Sequence, residues 1–347
     1  MNARLLALFL LLWPFPAMAQ GLYGMGSDPE GFRLPDPAVR FVFPDDHGSH
    51  PDFRIEWWYV TANLVAKDGT PMGMQWTLFR TATEPGDRSG WASPQIWFGH
   101  AGLTTPDAHF HAERFARGGI GQAGVTADPF AAWIDEWAME GPTLSDVRLT
   151  AQGTDFAYDF RLTADRPYVP QGADGYSVKS EYGQASHYYS QPFYRLTGTV
   201  TLPSGSVTVT GTAWLDREWS SQPLAETQTG WDWISLHLDT GDKLMGYRLR
   251  DSAAEPFTFG TWIAADGTPD PLEAGELTMT PTRTAQVAGR DIPVAWRIEL
   301  PDRDLALDLE ALNDNSWMDV SFPYWEGPVT LAGTHGGVGY LEMTGYE

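Results

Sequence analysis

Apolar and polar positions alternate with period two along most of the chain, and turn residues separate the alternating segments. "RLTGTVTL" sets Leu196, Gly198, Val200 and Leu202 on one face and three threonines on the other. "PSGS" then reverses the chain and "VTVTGTAW" resumes the alternation, as "VAWRIEL" and "LALDLEAL" do near the C-terminus. "TANLVAKDGTPMGMQW" holds a Lys-Asp-Gly turn, and "LHLDTGDKLMGYRL" an Asp-Thr-Gly-Asp turn. Many short strands with turns at this spacing predict an all-β fold of antiparallel sandwich or barrel type, with little helix. One stretch departs from the pattern. "DPFAAWIDEW" starts with Asp-Pro and spaces Phe130, Trp133, Ile134 and Trp137 as a helix would, which predicts one short helix.

An internal echo organises the chain. "WWYVTANLVAKDGTPMGMQWTLFR" begins at Trp57 and "WDWISLHLDTGDKLMGYRLR" at Trp231. Each gives an aromatic pair, a small hydroxyl residue (Thr61, Ser235), a leucine (Leu64, Leu238) and an Asp/Gly turn. A second strand then carries Met74 and Trp76, or Met245 and Tyr247, and ends at Arg80 or Arg250. The offset is half the chain, so two similar β domains in tandem are expected. The boundary falls near 211–225, giving a first domain over 41–220 and a second over 221–347, behind an extension at 20–40.

Residues 1–19 read as a signal peptide: a short positive start, the apolar "LLALFLLLW" and an Ala17-Met18-Ala19 cleavage site. With no cysteine for a lipid anchor, a periplasmic or secreted protein is expected, at most peripheral to a membrane. The absence of cysteine also excludes disulfides and thiolate chemistry. The balance of 45 acidic against 22 basic residues disfavours nucleic acid as a partner. The 16 Trp, 13 Tyr and 17 Phe serve either a β core or the lining of an apolar pocket.

Four segments set carboxylates among aromatic rings: "RIEWWYV" (Glu56), "AWLDREWSS" (Asp216, Glu218), "GWDWISL" (Asp232) and "FPYWEGPV" (Glu326). Desolvation raises the pKa of such an acid and can keep it protonated as a general acid. The alternative is pairing with a nearby arginine such as Arg54, Arg80 or Arg217. Glu56 shares the parity of Trp58, Val60, Ala62 and Leu64, and a structural pair, for example with Arg80, is its favoured reading. His47 and His50 lie in an acidic loop, and His109 and His111 are two apart, but no third ligand stands at a diagnostic spacing, so no metal site is assigned. No nucleophile elbow, P-loop or dinucleotide fingerprint occurs, so no cofactor is expected. Lys179, among four tyrosines, is either a cation over a ring or a plain loop lysine.

"FPDDHGSHPDFRIEWWYVTANL", "FGHAGL", "GYSVKSEYGQASHYYS", "GTAWLDREWSSQPL", "GWDWISLHL", "LMGYRLR" and "YWEGPVTLAGTHGGVGYLEMTGY" together resemble the AttH-like family of exported bacterial proteins. That family is grouped with carotenoid 1,2-hydratases as lipocalin-like proteins. The resemblance implies two tandem lipocalin-like barrels and an apolar ligand such as a lipid or isoprenoid. It also implies an ABC-transporter permease as a partner. The hydratases protonate an alkene without a cofactor; the resemblance carries Asp216 over from their Asp-His-Asn run and Tyr247 from their Tyr-x-Asp strand. Arg217 and Glu218 replace the histidine and asparagine, and Leu249 stands where the second acid would be. A proton would then come from Asp216 or Asp232. The expected function is binding of an apolar molecule, with a hydratase- or isomerase-type enzyme on a terpenoid or polyketide as the alternative. Candidate catalytic positions are Asp216, Asp232 and Tyr247. Candidate ligand-binding positions are Glu56, Trp58, Trp76, His100, Lys179, Tyr189, Trp214, Trp231, Trp233 and Trp325.

Overall fold

The computed structural model describes residues 29–222 and 224–346. Among them the only helical elements are three 3-10 turns, and every strand pair is antiparallel. The first sheet opens with β1 (Ile55–Ala66), β2 (Pro71–Ala82), β3 (Gln95–Thr104) and β4 (His109–Arg117). It continues with β5 (Ala123–Thr126), β6 (Phe130–Ile134), β7 (Trp137–Thr143), β8 (Asp146–Gln152) and β9 (Ala157–Thr163). The short β10 (Val169–Pro170) and β11 (Tyr176–Val178) lead to β12 (Ala185–Leu202) and β13 (Gly205–Ser220). The second sheet holds β14 (Gln228–Leu238), β15 (Lys243–Asp251), β16 (Phe257–Ile263), β17 (Pro269–Leu272) and β18 (Thr278–Val287). It ends with β19 (Arg290–Leu300), β20 (Leu305–Ala311), β21 (Trp317–Met318), β22 (Tyr324–Gly333) and β23 (Gly337–Met343).

The first sheet runs β4-β3-β2-β1-β13-β12-β9-β8-β7-β6-β5 and curls into a nearly closed barrel; the second runs β17-β16-β15-β14-β23-β22-β20-β19-β18 as a half-barrel. The echoed segments are the hairpins β1–β2 and β14–β15, each beside the last strand of its sheet.

Side-chain parity decides what each face does. On β1 the even positions Trp58, Val60, Ala62 and Leu64 point into the first barrel, where Trp76, Trp97 and Trp137 join them in a packed core. On β14 the even positions Ile234, Leu236 and Leu238 fill the half-barrel with Trp296 and Trp325. The opposite parity looks outward, and the two outer faces pack against each other. Tyr59, Tyr188 and Trp214 of the first sheet meet Trp233, Met245, Tyr247 and Tyr340 of the second. Asn63 Nδ2 donates to the Gly339 carbonyl at 2.8 Å across the same junction.

The expected helix at "DPFAAWIDEW" is instead the β6–β7 hairpin. Phe130, Ala132 and Ile134 alternate inward, and Asp135 takes a left-handed turn at φ 51°. The aromatic positions that mimic helical spacing include Trp133, which lies on the outer face against Gly124. Burial of the strand face outweighed the local spacing.

At the junction, a Cβ on Gly73 of β2 would collide with the Pro328 ring of β22. Gly73→Ala is therefore expected to cost about 1–3 kcal/mol by wedging the sheets apart. A denaturant midpoint unchanged from wild type would show that the junction has slack.

Candidate functional site: an aromatic slot between the two sheets

Eight strands, four from each sheet, meet across the junction and leave a slot between their outward faces. Trp57 and Tyr59 of β1, Thr77 and Phe79 of β2, His100 of β3 and Asp216 of β13 form one wall. Trp231 and Trp233 of β14, Tyr247 of β15, Tyr324 of β22 and Glu342 of β23 form the other, with Phe322 and Thr344 beside them. The slot holds about 540 Å³ free of atoms, mouth included, but the centre of a water molecule has only about 40 Å³ to move in. Such a narrow space between ring faces suits a flat or thin apolar molecule.

Asp216 is 2% exposed, and no Lys or Arg is ion-paired to it among the described residues. Ser190 Oγ and Trp214 Nε1 donate to its Oδ1 at 2.5 and 2.6 Å, and the Tyr188 hydroxyl lies 2.6 Å from Oδ2. Burial pushes its pKa up to about 7 against the pull of these donors. An indole N–H can only donate, so Oδ1 stays an acceptor and a proton on this acid resides on Oδ2.

Behind Asp216, Lys179 is 3% exposed and sits 2.8 Å from Glu218 Oε1. Its Nζ lies 4.8, 4.4 and 4.8 Å from the ring centroids of Tyr188, Tyr247 and Phe259. Of the two readings of this lysine, the cation over aromatic rings is what the structure contains, and the rings come from both sheets. Glu218 also accepts from Ser186 Oγ, so its charge is matched within the wall.

On the other side of the slot, Trp231 Nε1 donates to Glu342 Oε1 at 2.6 Å, and the Tyr59 hydroxyl donates to Glu326 Oε2 at 2.8 Å. Burial pushes Glu342 up to about 7. His100 bridges the sheets, with Nδ1 3.0 Å from the Tyr324 hydroxyl and Nε2 3.2 Å from Glu113 Oε1. Burial lowers its pKa, so the ring in the slot favours the neutral form.

Parity sorts the candidates named from sequence. Asp216, Tyr247, His100, Trp231 and Trp233 line the slot, while Trp214 and Lys179 stand directly behind it. Trp58, Trp76 and Tyr189 belong to the first barrel's interior and Trp325 to the half-barrel's. Glu56 lies in the first barrel, ion-paired to Arg80 and Arg217. Asp232 points into the half-barrel, ion-paired to Arg248 at 2.8 Å and to Arg250, and accepts from the Tyr346 hydroxyl at 2.9 Å. Its charge is committed there rather than offered to the slot. His109 bonds Thr104 Oγ1 at 2.9 Å and stacks near His111 at 6.0 Å; no group of three or more metal-type ligands is present among the described residues.

Sequence reasoning did not select Trp57, Tyr59, Thr77, Phe79, Phe322, Tyr324, Glu342 or Thr344. The signal for most of them was the parity opposite to the core row. In "GYLEMTGY", Leu341 and Met343 alternate with Tyr340, Glu342 and Thr344, which share one face.

The AttH-like family model matches residues 34–346. The chain belongs to the AttH-like family. Among solved structures, this AttH-like chain is similar to an AttH candidate from Nitrosomonas europaea, with a TM-score of 0.83 and 34% identity over 91% of this chain and 99% of that one. Kievitone hydratase from Nectria haematococca has the same fold at a TM-score of 0.67 and 15% identity, over 92% of this chain and 98% of its own. CghA, solved with Sch210972, follows at 0.55 and 13%, over 94% and 97%. At those identities the last two share architecture with this chain. No curated protein sequence matches it. Family and two-domain barrel architecture agree with the reading of the sequence, and a hydratase is among the proteins built on this fold.

Proposed function

We propose that the slot binds an apolar, unsaturated small molecule and that Asp216 protonates it, so that the protein acts as a cofactor-independent hydratase- or isomerase-type enzyme. The observation that carries this reading is a fully buried carboxyl group with a pKa near 7, held without an ion-paired cation at the wall of an aromatic slot. An acid tuned to the working pH is both protonated often enough and acidic enough to transfer its proton. The ring faces of Trp57, Trp231, Trp233 and Tyr247 keep out bulk water and stabilise positive charge developing on carbon. A hydratase on the same fold supports the reaction class. Export enters the proposal through the leader-like pattern of residues 1–19, which lies outside the described residues. A transporter permease enters it as a partner through the family resemblance.

The test uses acyclic terpenols in D2O, geranylgeraniol first. Binding is read from quenching of the slot tryptophans and turnover from a mass gain of one D2O. Asp216→Asn keeps the acceptor for Trp214 and Ser190, so the wall stays intact. The variant is expected to bind within about twofold of wild type and to lose turnover at least about a hundredfold. Equal turnover in wild type and variant would remove Asp216 from the role.

A further inference from the structure

Glu326 and Glu342 are cross-strand neighbours, directly opposite each other on β22 and β23, with Glu326 fully buried and Glu342 half-buried where it lines the slot. Like charges placed opposite on a sheet repel, and in a dry site the repulsion is large. Of the other buried acids, Glu56 has Arg80 and Arg217, Asp232 has Arg248 and Arg250, and Glu218 has Lys179, while Asp216 across the slot has no ion pair among the described residues. Glu326 and Glu342 have none among the described residues. What they have is the Tyr59 hydroxyl, which donates to Glu326 Oε2 at 2.8 Å and also bonds Glu342. Trp231 Nε1 donates to Glu342 Oε1, and the Tyr324 hydroxyl also bonds Glu326. The groups facing the pair are the hydroxyls of Tyr59, Tyr324, Tyr340 and Tyr158 and, at longer range, the Glu218 carboxylate; none brings positive charge. Two carboxyl groups so placed cannot both be ionised, and one proton shared between them is the state that the bonding pattern accommodates.

We propose that Glu326 and Glu342 hold one proton between them and that Glu342, the member lining the slot, takes the proton of the water that adds to the ligand. This rests on the reading of Asp216 as the acid. The step balances. The Asp216 O–H breaks and its proton forms a C–H bond with the alkene π pair, leaving a carbocation. A lone pair of water forms the C–O bond, and the proton that the oxygen sheds passes to the Glu342 carboxylate. Asp216 ends ionised and the pair ends with two protons; one returns to Asp216 through solvent before the next turnover. Acid and base thus come from different sheets, which explains why the junction between the two, rather than either barrel interior, carries the slot.

The experiment is a carboxyl-carbon NMR titration of the full chain labelled at glutamate Cδ. Glu342 and Glu326 are expected to titrate in two well-separated coupled steps. In Glu342→Gln the Glu326 midpoint is expected to fall by at least about one pH unit, because the Glu342 charge that holds it up is gone. Tyr59→Phe keeps both acids and should widen the separation of the steps. An unmoved Glu326 midpoint in Glu342→Gln, or ordinary glutamate values for both, overturns the shared proton. Turnover separates this from the parent reading. If Asp216→Asn abolishes D2O addition to geranylgeraniol while Glu342→Gln leaves it unchanged, the acceptor role of Glu342 falls and the reading of Asp216 stands. If Asp216→Asn turns over normally, that reading falls, and with it the role of Glu342, whatever the titration shows.

Discussion

Glu56→Gln is expected to lower the stability of the protein by about 3–5 kcal/mol, the largest single effect of any conservative substitution in the first barrel. Glu56 is 0% exposed and accepts from Arg80 Nε and Arg217 Nη2, while the His50 backbone N–H donates to Oε1 and Oε2 at 2.9 and 3.1 Å. Both arginines are themselves fully buried. Arg217 lies over the Trp58 ring at 3.9 Å, and Arg80 Nη2 donates to the His50 and Phe53 carbonyls at 2.9 Å. An arginine cannot shed its proton in a protein, so a neutral glutamine leaves two guanidinium charges facing each other in a dry core. The nearest remaining acid is Asp46, half-buried and reached only through His50, whose Nε2 is 3.1 Å from Asp46 Oδ1. The measurement is the denaturant midpoint at unchanged slope. The double variant Glu56→Gln/Arg217→Met should recover part of the loss, because it removes one unpaired charge while keeping an apolar stem against Trp58. A loss below about 1 kcal/mol in the single variant would mean that water reaches the cluster.

This cluster shows how far the sequence could be read. The parity of Glu56 with Trp58, Val60 and Leu64 placed it on the core face, and Arg80 was nameable as its partner because the β1–β2 hairpin has a short Asp-Gly turn that sets the register. Arg217 is a partner from far along the chain. It was present in the sequence as a nearby basic residue, but only the pairing of β1 with β13, which sets Trp58 against Arg217, brings it to Glu56. Local alternation carries turn and face; it does not carry which strands close a sheet.

The same limit governed the slot. Aromatic content announced either a core or a pocket, and the barrel interior was the natural place to look for the latter. Trp58 and Trp76 instead fill that interior. Outward positions on β1 and β14 are as apolar as inward ones, so no polar face told the two sides apart: Trp57 and Tyr59 flank Trp58, and Trp231 and Trp233 flank Asp232. A strand that is apolar on both faces is buried on both, and here this means a second sheet on its outer side. Asp216 was legible because it ends an alternating run in a ring of aromatics. Glu342 was not, because its partner Glu326 and its bridge Tyr59 lie 16 and 283 positions away.

The two slot acids should also be visible in the pH dependence of stability, before any ligand is known. Asp216 and Glu342 have ordinary values of 3.8 and 4.5 and are pushed by burial to about 7 in the fold. The folded state therefore binds more protons than the unfolded one between about pH 4 and 7, so their contribution is intact below about pH 4 and is lost as pH rises to about 7. At about 1.4 kcal/mol per pH unit, the loss reaches about 4 kcal/mol for Asp216 and about 3 for Glu342. The buried histidines act with the opposite sign. His47 and His187 are lowered to about 4 and His109 and His237 to about 3 by burial, so their stability is present above about pH 6.5 and is lost as pH falls. In wild type the two trends offset each other over this range. Glu326 and Asp232 are also raised by burial and keep part of the first trend, so Asp216→Asn/Glu342→Gln is expected to lose less stability than wild type as pH rises. Relative to wild type, the variant should gain several kcal/mol between pH 4 and 8. A gap of the same size at both pH values would show that neither acid is held protonated by the fold. A gap that opens with pH identifies stability given up at neutral pH to keep two acids protonatable inside the slot, which is the trade expected of a site built for proton transfer.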